Sequence, residues 1–152
     1  MKKMLFACAF LATVVAFAGE WMTDFNAAKK VSKEKNLPML LDFTGSDWCG
    51  WCKLMDKKVF AEKDWDDWAV SNVVCVTVDF PRDESKITPK IKKQNEKLLE
   101  RYGVQGFPTF VILAPGGGKE LGRAHCPGRN VTPAIFIPEV KQAIGKPPAA
   151  KK

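Results

Sequence analysis

The chain has 152 residues, 46% of them hydrophobic and 27% charged, and its formal net charge at pH 7 is +7. This length suits one domain with its own hydrophobic core, and the composition excludes a disordered chain. Because most lysines lie among acidic residues on predicted helices, we interpret the positive charge as solvated helix surface and expect no nucleic-acid binding.

The first 18 residues have the pattern of a secretory signal peptide. Lys2 and Lys3 precede an uncharged apolar run over residues 4–19, which contains the small-x-small pattern Ala16-Phe17-Ala18. The run is shorter than the roughly 18 apolar residues of a spanning helix, which favours cleavage over anchoring. We therefore expect an exported protein, periplasmic or extracellular, with a signal peptide over residues 1–18, a domain over residues 19–145 and a flexible tail over residues 146–152.

The first half of the domain reads as helices that alternate with buried strands. Asp24 or Thr23 can cap the first helix, and an apolar run interrupted only by Asp42 suits a strand buried on both faces. Valines and threonine favour a second strand. The predicted elements are a helix to about Lys35, a strand over residues 39–44, a helix from about Cys49 to Phe60, a short helix over residues 64–70 and a strand over residues 73–79.

The second half begins with a polar loop over residues 81–88 and ends with a hairpin and a helix. Pro89 suits the first turn of a helix. We predict a helix over residues 89–102, strands over residues 109–113 and 121–125 joined by a glycine turn, and a helix over residues 132–144. This order predicts an α/β fold: a central mixed sheet of about four or five strands, helices on both faces, and a C-terminal β-hairpin followed by a helix.

The segment Trp48-Cys49-Gly50-Trp51-Cys52-Lys53 follows a buried strand and opens a helix. At a helix N-terminus, Cys49 meets free backbone N–H groups and the positive end of the helix dipole, which stabilise a thiolate. Cys52 lies three residues further on, inside the helix and within reach for a disulfide. We predict that Cys49 is an exposed nucleophile and Cys52 the resolving thiol in thiol–disulfide exchange.

Two other interpretations of the C-x-x-C pair stay open. Together with His125 and Cys126, the pair would supply the four ligands of a metal site. A purely structural disulfide would close so small a loop that it would stabilise little. Cys75 lies between valines in a predicted strand, where we expect a buried and inert thiol.

Two motifs carry a resemblance to the thioredoxin superfamily over roughly residues 23–145. They are the aromatic-Cys-x-x-Cys-Lys segment after a strand and Gly106-Phe107-Pro108-Thr109 before another strand. Residues 43–52 most resemble the exported thioredoxin-like branch of bacterial envelopes. The resemblance implies a thioredoxin fold and a cis peptide bond before Pro108, which would lie against the cysteine pair while Phe107 to Thr109 offer backbone pairing to substrate.

The resemblance also implies supporting roles near the cysteines. Asp42 would be a buried acid, its pKa raised by burial, that shuttles a proton for Cys52, although the turn Gly45-Ser46-Asp47 has one residue more than the common family spacing. Asp47 is a rival better suited to a turn or cap. We expect Trp48 to shield the site and Lys53 to support a thiolate.

Two further positions depart from the family or remain undecided. Gly50-Trp51 differs from the Gly-Pro of reducing thioredoxins and the Gly-His of disulfide isomerases, so it leaves the direction of electron flow open. If the hairpin follows the family, the loop at Cys126 packs near Pro108. Cys126 is then either a packed loop cysteine or a third redox thiol.

Taken together, these features predict an exported thiol–disulfide oxidoreductase that reduces protein disulfides through Cys49 and Cys52 without a cofactor. Its expected partners are protein disulfide substrates and a membrane or soluble electron-donor protein, and we expect a monomer. The alternatives are a disulfide oxidase or isomerase, a non-catalytic metal-binding protein that uses Cys49, Cys52 and His125 with Cys126, and a binding module whose dithiol is incidental.

Overall fold

The computed structural model describes residues 20–145, so the predicted signal peptide and tail lie outside the described residues. The first helix begins where predicted, because the Asp24 carboxylate accepts hydrogen bonds from the N–H groups of Asn26 and Ala27 at 2.9 and 3.0 Å. The elements are α1 (Phe25–Lys35), β1 (Met39–Thr44), α2 (Gly50–Met55), α3 (Lys63–Asn72), β2 (Val74–Asp79), α4 (Pro89–Tyr102), β3 (Thr109–Leu113), β4 (Glu120–Ala124) and α5 (Pro133–Gly145).

The four strands form one mixed sheet in the order β2-β1-β3-β4. β1 runs parallel to β2 and antiparallel to β3, and β3 pairs antiparallel with β4. All six residues of β1 are buried, because the strand lies inside the sheet with helices over both faces. The predicted α/β architecture is confirmed, with four strands.

A separate hydrophobic core lies on each face of the sheet. On one face Leu40 of β1 and Phe110 of β3 pack with Met55 after the cysteine pair and with Phe136 of α5. On the other face Leu41 and Phe43 of β1 pack with α1 and α4. Because strand side chains alternate, Asp42 lies on the same face as Leu40 and therefore under α2.

The structure adds a π-helical turn and a 3₁₀ turn to the predicted elements. α2 ends at Met55 and continues as a π-helical turn over Asp56–Phe60, where the Ala61 N–H donates to the Asp56 carbonyl at 2.9 Å. The predicted polar loop contains a 3₁₀ turn over Glu84–Lys86. Within residues 20–145, no helix has the length and apolar character needed to cross a membrane.

Candidate active site

Cys49 and Cys52 are joined by a disulfide bond at the start of α2, with their Cα atoms 5.3 Å apart. Cys49 is the N-cap of this helix, and its Sγ accepts a hydrogen bond from the Cys52 N–H at 3.2 Å. The Gly45 carbonyl holds the preceding turn by accepting from the N–H groups of Trp48 and Cys49 at 3.2 and 2.8 Å. A sulfur at this position faces the positive end of the helix.

The expectation that Cys49 is an exposed residue is wrong. Only 6% of Cys49 is exposed, against 1% of Cys52. The cap interaction draws the Cys49 sulfur onto the first turn of the helix, so most of the residue is covered. Cys49 nevertheless remains the more accessible member of the pair, as unequal roles require.

The second sequence motif lies beside the first. The Phe107–Pro108 peptide bond is cis, and the Phe107 ring lies edge-on to the Trp48 ring with centroids 5.8 Å apart. Thr109 opens β3 opposite Phe43, and its hydroxyl donates to the Gly106 carbonyl at 2.7 Å. Two segments almost sixty residues apart in the chain thus meet at one end of the sheet.

Asp42 is a carboxylic acid in an apolar setting. It is 4% exposed, and its Oδ1 has no hydrogen-bond partner among residues 20–145. Burial raises the pKa of this carboxyl well above its ordinary value, and the nearby carboxylates of Asp56 and Asp79 raise it further. A group of this kind can hold a proton at a pH where an exposed aspartate cannot.

Asp47 holds a neighbouring loop in place, in keeping with the prediction of a turn or cap residue. Its carboxylate accepts hydrogen bonds from the backbone N–H groups of Asp83 and Arg82 at 2.9 and 3.0 Å. These bonds lower the pKa of Asp47. The Lys53 ammonium, expected near a thiolate, donates instead to the Asp47 backbone carbonyl at 2.8 Å.

Two tryptophans flank the disulfide on the surface. Trp48 is 38% exposed and Trp51 is 44% exposed. The Trp48 indole Nε1–H donates to the Phe80 carbonyl at 2.8 Å, and the Arg82 guanidinium lies 5.4 Å from its ring centre. Phe80 and Arg82 were missed in the sequence, because no local pattern links them to a turn more than thirty residues earlier.

The two remaining cysteines of the described residues are free thiols in different settings. Cys75 is buried as predicted, and burial strongly raises the pKa of its thiol. Cys126 is partly buried against the core under α2. Residues 20–145 contain no group of three or more His, Cys, Asp or Glu side chains placed to hold a metal ion, and Cys49 and Cys52 are bonded to each other.

Known proteins are similar to this chain in sequence and in fold. A family model described as a thioredoxin-like domain matches residues 25–144. Over 132 residues the chain is 33% identical to the Chlamydia pneumoniae protein named disulfide bond reductase DsbH. The matched region covers 86% of this chain and 76% of that protein. A solved structure described as DsbH oxidoreductase matches with a TM-score of 0.73 and 32% identity over 82% of this chain and 83% of that one.

A more distant solved structure shows the fold alone. The solution structure of a thioredoxin from Thermus thermophilus has a TM-score of 0.60 and 23% identity, over 83% of this chain and 87% of that one. The family match covers most of the chain, and the Chlamydia pneumoniae relative is named a disulfide bond reductase. The chain therefore belongs to the thioredoxin-like family and is a disulfide oxidoreductase whose Cys49–Cys52 disulfide lies in a C-x-x-C motif.

Proposed function

We propose that this protein is exported and reduces disulfide bonds of other proteins through Cys49 and Cys52. The observation that carries the proposal is the Cys49–Cys52 disulfide at the N-terminus of α2, beside the Phe107–Pro108 segment. The reductive direction is supported by the name of the relative, disulfide bond reductase. Export is supported by the pattern of the first 18 residues.

In the reaction, the reduced protein transfers two electrons to a substrate disulfide. The Cys49 thiolate attacks one substrate sulfur, which breaks the substrate disulfide, forms a mixed disulfide and releases the other sulfur as a thiolate that takes a proton from water. The Cys52 thiolate then attacks the Cys49 sulfur and releases the second substrate thiolate. The protein is left with the Cys49–Cys52 disulfide, and a dithiol donor protein reduces it again by the reverse exchange.

The local geometry supports Cys49 as the attacking thiol. Its sulfur is aligned with the Cys52 N–H at 3.2 Å and lies at the helix N-terminus, and both features stabilise a negative sulfur. Cys52 has only 1% exposure, so an incoming protein reaches Cys49 first. Cys52 is placed to attack within the protein once Cys49 is bonded to substrate.

Asp42 supplies a proton acceptor for the second step. Cys52 must lose its proton before it attacks, and a buried thiol does so only if a base lies nearby. Asp42 lies on the face of β1 that α2 covers, with a free carboxylate oxygen and a raised pKa. We propose that it takes the Cys52 proton and later returns it to solvent.

The substrate segment binds as an extended strand along residues 107–109. Pro108 has no N–H and begins the chain segment that enters β3 at Thr109. The backbone on either side of Pro108 therefore offers hydrogen bonds to a substrate strand next to Cys49.

Cysteine variants test the mechanism. In insulin reduction with dithiothreitol as the donor, we expect Cys49→Ser to abolish turnover, whereas Cys52→Ser accumulates mixed disulfides that non-reducing gels detect. Cys75→Ser is the matched control, since that free thiol is buried and lies outside the C-x-x-C motif, and it should retain turnover. Insulin reduction by Cys49→Ser at the wild-type rate would contradict the mechanism.

The reduction potential of the pair tests the direction. A value of about −270 mV supports a reductase, whereas a value of about −120 mV indicates an oxidant. Export is tested separately by the N-terminus of the protein recovered from cells, which we expect at residue 19.

A further inference from the structure

The loop that follows β2 is bonded to the turn that carries the disulfide. Ser46 donates to the Asp79 carboxylate from both its hydroxyl and its backbone N–H, at 2.6 and 2.9 Å. Asp47 accepts from the N–H groups of Arg82 and Asp83. The Phe80 N–H donates to the Thr44 carbonyl at 2.9 Å. These hydrogen bonds between the cysteine turn and the following loop hold residues 80–83 beside the cysteine pair.

This arrangement builds a continuous aromatic surface, which we call the aromatic shelf and define as Trp48, Phe80 and Phe107. The Phe80 and Phe107 rings stack with centroids 5.3 Å apart, and Phe107 meets Trp48 edge-on. Phe107 directly precedes Pro108. A substrate strand seated along residues 107–109 therefore continues over the shelf, where apolar side chains gain contact area.

Arg82 adds a cation to the open side of the shelf. Its guanidinium lies over the exposed Trp48 ring and forms no ion pair within residues 20–145. Asp47, which holds the Arg82 backbone, is already engaged by two backbone amides, and Lys86 lies 3.8 Å from it. Glu84 is paired with Lys92 at 2.7 Å. The Arg82 guanidinium above Trp48 is therefore available to bind a carboxylate of a substrate.

We propose that Phe80 and Arg82 belong to the substrate-binding surface, and that this surface selects protein segments in which an apolar side chain and an acidic side chain flank the substrate cysteine. The apolar side chain packs on the aromatic shelf, and the carboxylate pairs with the Arg82 guanidinium. Asp47 is a positioning residue, since it touches no substrate and holds the backbone of Arg82. This inference rests on the proposed function.

Peptide disulfides of matched sequence test the charge preference. Each carries a Glu or a Lys that is moved through positions two to four on either side of the cysteine. At the best position we expect the wild type to reduce the Glu peptide with a kcat/KM about two- to five-fold higher than the Lys peptide, as for an exposed ion pair. The ratio should fall towards one in Arg82→Gln, invert in Arg82→Glu, and shrink at high salt.

A matched control lies on α4, where the Arg101 guanidinium sits over the Tyr102 ring at 5.5 Å, away from the disulfide turn. Arg101→Gln should keep the wild-type ratio. Equal rates for Glu and Lys peptides at every position in the wild type, or the same loss in Arg101→Gln as in Arg82→Gln, would overturn the proposal.

Reduction of hydroxyethyl disulfide separates this proposal from the proposed function. This small neutral disulfide reaches the cysteines without covering the shelf, so its reduction by the wild type reports on the Cys49–Cys52 chemistry alone. If the wild type reduces hydroxyethyl disulfide normally but shows no charge preference among the peptides, only the proposal of the substrate surface is overturned. Failure of the wild type to reduce any disulfide overturns both.

The positioning role of Asp47 has its own test. Asp47→Asn should raise KM for the Glu peptide with little change in kcat, and should lower the ratio of Glu to Lys peptide kcat/KM towards one. Asp83→Asn is the control, because the Asp83 carboxylate binds only within its own loop, at Ser85. An equal rise in KM for Asp83→Asn would show that Asp47 has no special positioning role.

Discussion

Asp42 is the residue at which burial and charge conflict most strongly. A carboxylate in an apolar core is costly unless it is paired, and one Asp42 oxygen has no partner in residues 20–145. The chain therefore sacrifices stability to keep a titratable group under the cysteine helix. The same property that makes Asp42 a poor core residue makes it a suitable proton acceptor for Cys52.

The pH dependence of stability measures this conflict. Below about pH 3.8, the ordinary value, Asp42 is protonated in both the folded and the unfolded chain. Above it, the unfolded chain loses this proton while the folded chain keeps it. The Asp42 contribution to the free energy of unfolding therefore falls with pH, by up to about 1.4 kcal/mol per pH unit, until the folded pKa is reached.

We therefore expect Asp42→Asn to be more stable than the wild type at pH 7 by a larger margin than at pH 4. Urea unfolding at both values, with the disulfide intact so that its thiols do not titrate, measures the difference. In the reduced protein the variant should resolve mixed disulfides more slowly, as followed by stopped-flow mixing. A stability difference that does not change with pH would show that the pKa of Asp42 is ordinary.

At the scale of elements, the link between β1 and α2 sets the position of the chemistry. Gly45 follows the buried strand, its carbonyl accepts hydrogen bonds from the N–H groups of Trp48 and Cys49, and a Cβ built on it would overlap the Trp48 indole. A side chain at this position would occupy the space of the indole. Glycine is required here by close approach rather than by backbone angles.

Gly45→Ala should therefore displace Trp48 from the Phe80 carbonyl and from Phe107. We expect the free energy of unfolding to fall by about 1–3 kcal/mol, as for an overpacked site, and peptide disulfide reduction to slow. Urea unfolding and peptide kinetics measure both effects. Gly118→Ala is the control, since a Cβ there meets nothing within 4 Å. Equal destabilisation by both variants would exclude the contact with Trp48 as the cause.

At the scale of the whole molecule, the sheet and its two cores carry the disulfide at one end. β1 and β2 run parallel and end together at Thr44 and Asp79, and the site lies beyond these ends. Ligands of open α/β sheets bind in the same place, beyond the carboxyl ends of parallel strands. The two cores therefore support the cysteine turn from within the sheet.

The direction of electron flow follows from the relative stability of the two redox states. A strong oxidant is one whose reduced form is the more stable, whereas a reductase gains stability when its own disulfide forms. For the proposed reductase we expect a higher urea midpoint for the oxidised protein than for the protein with dithiothreitol. The Cys49→Ser protein should show no such dependence on reductant. A higher midpoint for the reduced wild type would instead identify an oxidant.

Local patterns in the sequence were sufficient for most of the fold. The bounds of α1, β1, α4 and β3 coincide with the prediction, because caps, proline positions and hydrophobic periodicity act over a few residues. Bounds set by packing were less predictable. α2 gives way to a π-helical turn at Asp56, and the last strand and the short helix α3 each differ by one or two residues at their ends.

The features of the candidate site likewise fall into those that local sequence patterns predict and those that depend on tertiary packing. The sequence alone determined that a cysteine pair lies at a helix N-terminus, because two cysteines three residues apart fall within one helical turn. It also indicated a buried acid in the preceding strand. Only the tertiary structure decided that Phe80 and Arg82 adjoin Trp48 and that Lys53 binds a carbonyl of the turn. The Trp48–Phe80 hydrogen bond joins residues 32 positions apart, and those from Arg82 and Asp83 to Asp47 join residues 35 and 36 positions apart. Which side chains meet over such distances depends on the packing of the whole sheet, and no short pattern encodes it.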